Sequence, residues 1–182
     1  MSLNVKRILF ILMPNDFQDT EFLEPYEMLL TEGHHVDVAG LTSRNIATGK
    51  FGYQHTPNKI LAEMGPQDFD KYDALVIPGG QGCTEYLWDN EDVIDVVNYF
   101  HDNEKIVAAI CHACVVLAQT GILRNKRATV YPSNEALEIF EDNDVIFVDE
   151  ECVTLPDEKV ITSQGPQYAR IFGKAILELL QH

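Results

Sequence analysis

Short, continuous runs of apolar residues alternate along this chain with longer segments whose apolar residues recur at helical spacing. The short runs are rich in β-branched residues, which is typical of strands buried on both faces of a parallel sheet. They predict strands over residues 7–13, 35–39, 74–77, 106–110 and 160–163. The amphipathic segments predict helices over residues 21–31, 90–103, 115–120 and 166–180. Strands that alternate with helices in this way indicate the α/β class, with a doubly wound, mostly parallel sheet and helices on both faces.

The segments between these elements carry weaker patterns. Residues 40–64 contain several Gly and Pro breakers and predict irregular strands or a hairpin. Residues 68–72 predict a turn of helix, residues 129–131 predict a short strand, and Asn134 is expected to cap a helix that runs to about Phe140. Residues 145–148 and 151–155 predict two short strands that pair as an edge hairpin.

Cys111 stands where the strand over residues 106–110 turns directly into a helix. Ala109 and Ala113 provide the small residues that a nucleophile elbow needs two positions before and after its nucleophile. Unpaired N–H groups at the start of the following helix stabilise a thiolate, so we expect the pKa of Cys111 to fall below that of a free cysteine. The alternative is a buried structural cysteine, since free thiols are commonly buried.

Ligands of doubly wound sheets bind outside the carboxyl ends of the strands. The loops predicted at that edge cover residues 14–20, 78–84, 111–113, 131–134 and 163–167. All the candidate chemistry of this chain lies on these loops or directly after them.

Length and composition restrict the number of domains, the compartment and the class of partner. A length of 182 residues suits one domain over residues 1–182. No apolar run approaches the roughly 18 residues of a membrane span, and the first residues lead into a strand rather than into a signal peptide. The four cysteines do not suggest a disulfide framework, which favours a reducing cytoplasm. A net charge of −16 argues against nucleic acid or an anionic membrane as partner.

Four motifs together resemble the ThiJ/PfpI (DJ-one/PfpI) superfamily. They are Pro-Gly-Gly at 78–80, Ala-Ile-Cys-His-Ala at 109–113, Val-Tyr-Pro at 130–132 and Thr-Ser-Gln-Gly-Pro at 162–166. The resemblance covers nearly the whole chain. It implies a flavodoxin-like fold similar to class I glutamine amidotransferase domains, a homodimer or larger homo-oligomer, and a reactive elbow cysteine. It also implies glyoxalase or deglycase chemistry on α-oxoaldehydes, a debated peptidase activity, or chaperone-like behaviour.

The resemblance assigns Cys111 as the nucleophile and the backbone N–H groups of Gly80 and His112 as oxyanion donors. The side chain of His112 matches a base in some members, with a half-buried His at a subunit contact as the alternative, because neighbouring side chains at an elbow generally diverge. Tyr131 stands where members carry His or Tyr, with a packing aromatic as the alternative. Gly79 and Gln164 belong to motifs that border the same pocket.

The first loop departs from the family pattern. Relatives carry a Glu that contacts the nucleophile, and this chain is expected to have Gln18 in that position. A Gln amide donates a hydrogen bond but cannot carry a proton, so thiolate stabilisation would survive without acid–base catalysis. Asp16 or Glu21 can replace it only if the loop runs differently. Protease-like members carry an acidic residue that reaches the neighbouring subunit, and Glu85 lies one position from the matching place in this chain. The alternative for Glu85 is a solvated surface residue.

Cys111 and Cys114 have the spacing of a redox pair, in which Cys114 would resolve an oxidised Cys111. Cys83 is a second resolving candidate, and burial of Cys114 in the core is the competing interpretation.

Two functions therefore compete, and neither calls for a metal or an organic cofactor. In the first, Cys111 attacks the carbon of a small reactive carbonyl substrate. In the second, Cys111 is oxidised and the protein acts as a sensor of oxidative stress or as a chaperone-like protective protein, which the Gln18 assignment favours. A glutamine amidotransferase fits less well because His182 is the only His after His112. A flavodoxin fits less well because Asp16 and Asp19 would repel phosphate in the first loop.

Overall fold

A seven-stranded sheet runs through the centre of the protein in the computed structural model, which describes residues 4–182. The strands are β1 (Arg7–Leu12), β2 (Asn15–Phe17), β3 (His35–Gly40), β4 (Ala47–Gly49), β5 (Gln54–His55), β6 (Lys59–Ile60), β7 (Ala74–Ile77), β8 (Ile106–Ile110), β9 (Arg127–Ala128), β10 (Ile146–Phe147), β11 (Cys152–Leu155) and β12 (Val160–Ser163). The helices are α1 (Asp19–Thr31), α2 (Pro66–Phe69), α3 (Cys83–Tyr86), α4 (Glu91–Asp102), α5 (Cys114–Thr120), α6 (Asn134–Asp142) and α7 (Ala169–Leu180). Short 3₁₀ turns cover Leu61–Glu63, Cys111–Ala113 and Pro166–Tyr168.

The strand order of the main sheet is β11-β12-β8-β7-β1-β3-β6. Its neighbours are parallel except at the β11 edge, where β11 runs antiparallel to β12. Helix α1 packs against α7 on one face, and α4 packs against α5 on the other. Residues 8–12 of β1 are at most 1% exposed because this strand has neighbours on both sides and helices on both faces. The predicted α/β class with a mostly parallel sheet is confirmed.

Two predictions about the weaker segments are wrong. Residues 129–131 do not extend a strand, because the Thr129 N–H donates to the Thr162 hydroxyl at 3.0 Å. The expected hairpin over residues 145–155 does not form. Strand β10 pairs in parallel with β9 in a separate two-stranded sheet, whereas β11 pairs with β12. The two predicted strands therefore belong to different sheets.

The connections of the sheet determine where the candidate site lies. From β1 the chain proceeds to β3 on one side, and from β7 it proceeds to β8 on the other. The loops after β1 and β7 therefore diverge between these two strands, which is the usual ligand position in doubly wound sheets. The first turn of α1, the glycines after β7 and the elbow after β8 converge there. None of the helices within residues 4–182 is long and apolar enough to cross a membrane.

Candidate active site

The turn from β8 into the following helix forces Cys111 into a strained backbone conformation. Ile110 is still extended, with φ −132° and ψ 146°, whereas Cys111 has φ 62° in the left-handed region. A residue with a β-carbon seldom adopts that conformation, and such strain concentrates at functional sites. The indole Nε1 of Trp88 donates to the His112 carbonyl at 2.9 Å and ties the turn to the end of α3. Residues 106–113 thus form the sharp strand-to-helix turn that the sequence predicts.

Gly79 is the point where three parts of the site touch. A β-carbon on Gly79 would lie 2.4 Å from the Ile110 carbonyl oxygen, 2.7 Å from Cβ of Cys111 and 2.7 Å from Oε1 of Glu21. No side chain fits in that space, so only glycine allows the three groups to approach one another. The Gly79 carbonyl also accepts the N–H of Gln18 at 2.8 Å, which joins the first loop to the same point.

Glu21 is the carboxyl group that faces the elbow. Its side chain is fully buried, and neither oxygen makes a complete hydrogen bond with the described residues. Burial raises the pKa of Glu21 from 4.5 to about 8, while weak hydrogen bonding to the Cys111 thiol and the Gly79 N–H opposes the shift. An isolated carboxylate is costly to bury, so the group takes up a proton instead. Glu21 is therefore mainly protonated at neutral pH.

The Cys111 thiol is also shielded from solvent, at 5% exposure. Burial is the main effect and raises the pKa of Cys111, and a charged Glu21 carboxylate raises it further. The His112 N–H, which points at the sulfur, lowers it. The expectation of a pKa below that of a free cysteine is wrong in this structure, because desolvation outweighs the helix N-terminus. The repulsion from Glu21 disappears when that carboxyl is protonated.

Gln18 does not contact the thiol, so the expected hydrogen bond between its amide and the nucleophile is wrong. Gln18 is the N-cap of α1, and its Oε1 accepts the Thr20 N–H at 2.8 Å and the Thr20 hydroxyl at 2.7 Å. The helix begins two residues earlier than predicted, which turns Gln18 towards the helix end and Glu21 towards the elbow.

The position of Glu21 in the apolar pattern of α1 is the sequence signal that marks it as a buried carboxyl group. Glu21, Pro25 and Leu29 are four residues apart and lie on the same buried face of α1. A Glu at an apolar position of a helix has to be buried.

Gly80 and His112 supply backbone N–H groups on the two sides of the elbow. Gly80 has φ 132°, and no acceptor within residues 4–182 takes its N–H. The ring of His112 lies 6.1 Å from the Trp88 ring and 4.9 Å from the Tyr131 ring. Burial lowers the pKa of His112, with hydrogen bonding to the Gly80 backbone opposing the shift. The His112 ring thus packs edge-on against Trp88 and at a tilt against Tyr131, which is 45% exposed.

Three further candidates from the sequence are Asp16, Glu85 and Gln164. Asp16 has φ 59° and its carbonyl accepts the Gly82 N–H at 3.2 Å. Glu85 is exposed on α3. The Gln164 amide donates to the Asp149 carboxylate at 2.7 Å. The hydrogen bonds of Asp16 and Gln164 thus go to groups other than the Cys111 thiol.

The proposed resolving thiols are both in the core. Cys114 is fully buried, and its thiol donates to the carbonyls of Ala109 at 3.3 Å and Ser163 at 3.6 Å. Cys83 is also fully buried, and burial raises its pKa well above the ordinary value, with Glu21 adding to the shift. A redox role for either thiol stays a prediction.

Comparisons with known proteins show the family of this chain. The sequence matches the DJ-1/PfpI family over residues 6–179. It is 39% identical over 175 residues to an uncharacterised protein from Methanocaldococcus jannaschii, covering 96% of this chain and 82% of that protein. It is 36% identical over 125 residues to Deglycase PfpI from Pyrococcus furiosus, covering 69% of this chain and 72% of that protein.

The fold agrees as well. The crystal structure of a ThiJ/PfpI domain protein from Brachyspira murdochii is similar with a TM-score of 0.88 and 26% identity over 97% of both chains. Its family and the flavodoxin-like fold match those expected from the four sequence motifs. This chain belongs to the DJ-1/PfpI family.

Proposed function

We propose that this protein is a cofactor-free, cysteine-dependent enzyme of the glyoxalase or deglycase type, acting on small α-oxoaldehydes. The observation that carries the proposal is the buried Glu21 carboxyl, which lacks a complete hydrogen bond and faces Cys111 across Gly79. A carboxyl whose pKa is raised to about 8 can both accept and return a proton near neutral pH. Relatives named deglycase support an activity of the deglycase type.

The reaction begins with attack of the Cys111 sulfur on the aldehyde carbon. The S–C bond forms, the thiol proton passes to the deprotonated Glu21 carboxylate, and the carbonyl electrons move to oxygen. In this proposal the N–H groups of Gly80 and His112 stabilise that oxyanion. Protonation by Glu21 then gives a hemithioacetal, and the carboxylate is ready for the next proton transfer.

The aldehyde carbon is then oxidised while the neighbouring ketone carbon is reduced, so no external oxidant is needed. The aldehyde hydrogen moves to the ketone carbon, and the product is a thioester of Cys111. Water hydrolyses the thioester, which releases the thiol and a 2-hydroxy acid, lactate in the case of methylglyoxal. An adduct of the aldehyde with an amine presents the same carbon, and displacement of the amine by Cys111 leads into the same sequence.

Two features of Cys111 favour aldehyde chemistry over peptide hydrolysis and over a role as an oxidation sensor. The 5% exposure of Cys111 favours a small aldehyde over a peptide bond as substrate. Peroxide reacts with thiolates, and burial works against thiolate formation at Cys111, so the sensor function has less support. A Gln18 amide at the nucleophile would favour a sensor, but Gln18 caps α1, and Glu21 is the residue that faces Cys111.

Turnover of methylglyoxal to lactate by purified variants tests the proposal. Cys111→Ala should abolish turnover, and Glu21→Gln should reduce kcat/KM by about 10²–10⁴-fold, as for the loss of a positioned acid–base group. Gln18→Glu serves as the matched control, because it keeps a cap acceptor on the same helix and should change kcat/KM by less than about threefold. Full activity in folded Glu21→Gln would contradict the role of Glu21. No turnover in the wild type, with Cys111 oxidised by peroxide, would favour the sensor.

We also propose that the protein is a homodimer or a larger homo-oligomer. Phe51 is 72% exposed and Ile46 is 58% exposed, and both lie beside the small sheet formed by β2, β4 and β5. Large apolar side chains that are exposed at a small sheet favour burial against a partner. The segment over residues 86–88 does not add to this surface, because Leu87 is fully buried.

A further inference from the structure

The Asp19 carboxylate joins the first turn of α1 to the turn between β4 and β5. One of its oxygens accepts the Phe51 N–H at 2.9 Å, and the other accepts the Tyr53 N–H at 2.8 Å. Asp19 is only 8% exposed, and hydrogen bonds to an ionised acceptor that is shielded from water are strong. Both oxygens of this carboxylate therefore hold the β4–β5 turn against the helix.

The β4–β5 turn is shaped to receive that carboxylate. A β-carbon on Gly49 would lie 2.5 Å from Oδ1 and 2.8 Å from Oδ2 of Asp19, so only glycine leaves room for the carboxylate. The Gly49 N–H donates to the Tyr53 carbonyl at 2.8 Å, and the Gly52 N–H donates to the Gly49 carbonyl at 3.0 Å, which folds the turn back on itself. We refer to Asp19 and residues 49–53 as the clamp.

Glu21 lies in the same first turn of α1 as the carboxylate of the clamp. Its Oε1 would be 2.7 Å from a β-carbon on Gly79, in the loop after β7. The next residue, Phe22, has its ring centre 4.9 Å from that of His55 and 6.1 Å from that of Tyr53. The first turn of α1 thus contacts both the β4–β5 hairpin and the loop that borders the elbow.

The burial of Glu21 places a load on this first turn. An ionised carboxylate is far more stable in water than in a buried position, and helices open most readily at their ends. The titratable groups that the Glu21 charge affects are the thiols of Cys83 on α3, Cys111 at the elbow and Cys114 at the start of α5. Thiols carry no positive charge that would stabilise the carboxylate. Ionisation of Glu21 therefore favours opening of the turn, and the contacts of the clamp oppose it.

We propose that Asp19 is a positioning residue, whose hydrogen bonds to the β4–β5 turn keep the first turn of α1 closed and the Glu21 carboxyl against Cys111. This inference rests on the proposed function, because it concerns the acid that works with the nucleophile. Loss of the clamp lets the turn open, so that Glu21 reaches water and leaves the elbow. The folded protein then releases the Glu21 proton at a lower pH than the wild type does.

Two variants weaken the clamp from its two sides. Asp19→Asn keeps the size of the side chain and replaces one acceptor by an amide donor. Gly49→Ala leaves the sequence of α1 unchanged and places a methyl group against the carboxylate. In both variants the pH midpoint of kcat/KM for methylglyoxal should fall from near 8 by about one to two units. Above the midpoint, kcat/KM should be about tenfold or more below that of the wild type, because Glu21 is no longer held at the thiol.

Asp68→Asn is the matched control. Asp68 lies in the first turn of α2, and its carboxylate also accepts a backbone N–H, that of Gly65, at 2.9 Å. The control makes the same substitution at a helix start that does not carry Glu21, so the midpoint should stay near pH 8. If Asp19→Asn and Gly49→Ala lose stability but keep the wild-type midpoint, Asp19 is a structural contact only and the inference is overturned.

Urea unfolding supplies a readout that does not require turnover. In the wild-type background, the stabilising effect of Glu21→Gln should grow with pH up to about 8. With Asp19→Asn or Gly49→Ala present, that effect should stop growing about one to two pH units lower. The same pH dependence in all three backgrounds would overturn the inference while the proposed function stands. No turnover of methylglyoxal by the wild type would overturn the proposed function, and unfolding would still decide whether the clamp keeps Glu21 buried.

Discussion

Replacing Glu21 by Gln should stabilise the protein, and the gain should grow with pH. In the folded state burial raises the pKa of Glu21 from 4.5 to about 8, so the native protein holds a proton that the unfolded chain releases above pH 4.5. Wherever the folded state binds more protons than the unfolded state, stability falls as pH rises. The contribution of a neutral Glu21 is fully present below about pH 4.5 and is lost as pH rises through about 8. Gln is neutral throughout and does not carry this cost.

The size of the effect follows from the two pKa values. Each pH unit between 4.5 and 8 costs the wild type about 1.4 kcal/mol relative to Glu21→Gln. The difference in free energy of unfolding should therefore be near zero at pH 4.5, about 3 kcal/mol at pH 7, and constant above pH 8. A loss of that size is an expected consequence of the proposed function, in which a buried acid is held ready for proton transfer.

Urea unfolding of both proteins from pH 5 to 9, at one protein concentration, measures this difference. Glu27→Gln is the matched control, since it makes the same substitution at an exposed position of the same helix. A Glu21→Gln difference that is equally large at pH 5 and pH 8 would refute the reasoning. It would mean that Glu21 is ionised in the folded protein or that the change acts through packing alone.

Three further predictions test other parts of the site. Alkylation of the native protein followed by peptide mapping should label Cys111 and the partly exposed Cys152 before the fully buried Cys83. Equal labelling of Cys83 and Cys111 would count against the burial of Cys83. Gly79→Ala should lower the free energy of unfolding in urea by roughly 1–3 kcal/mol, because the added β-carbon overlaps the elbow and Glu21. A variant as stable as the wild type would show that the surrounding residues move aside at no cost. Sedimentation at micromolar concentration should show a dimer or larger oligomer that Phe51→Asp weakens, whereas a wild-type monomer would contradict the proposed association.

The central strands and the elbow could be predicted from the sequence because their signals are local. The runs at 74–77, 106–110 and 160–163 are continuous and apolar, since each strand is covered on both faces, and the structure places strands at those same residues. The left-handed conformation of Cys111 follows from the lack of any loop between β8 and the helical turn.

The identity of the acid could not be predicted by matching one loop to a motif. The direction in which Gln18 and Glu21 point depends on where α1 begins, and helix ends shift by one or two residues without a strong local signal. Burial of Glu21 also depends on Gly79, which is far from it along the chain. The pairing of β10 with β9 likewise depends on tertiary contacts, because two-residue strands have no periodicity of their own.

The dependence of kcat/KM for methylglyoxal on pH tests the central claim that Cys111 and Glu21 act as a pair. The reactive form is the pair with one proton removed, whichever atom holds the remaining one. Wild-type kcat/KM should rise about tenfold per pH unit below a midpoint near pH 8 and level off above it, and Glu21→Gln should lack that midpoint. A wild-type profile without a transition near pH 8, or the same midpoint retained in Glu21→Gln, would contradict the account.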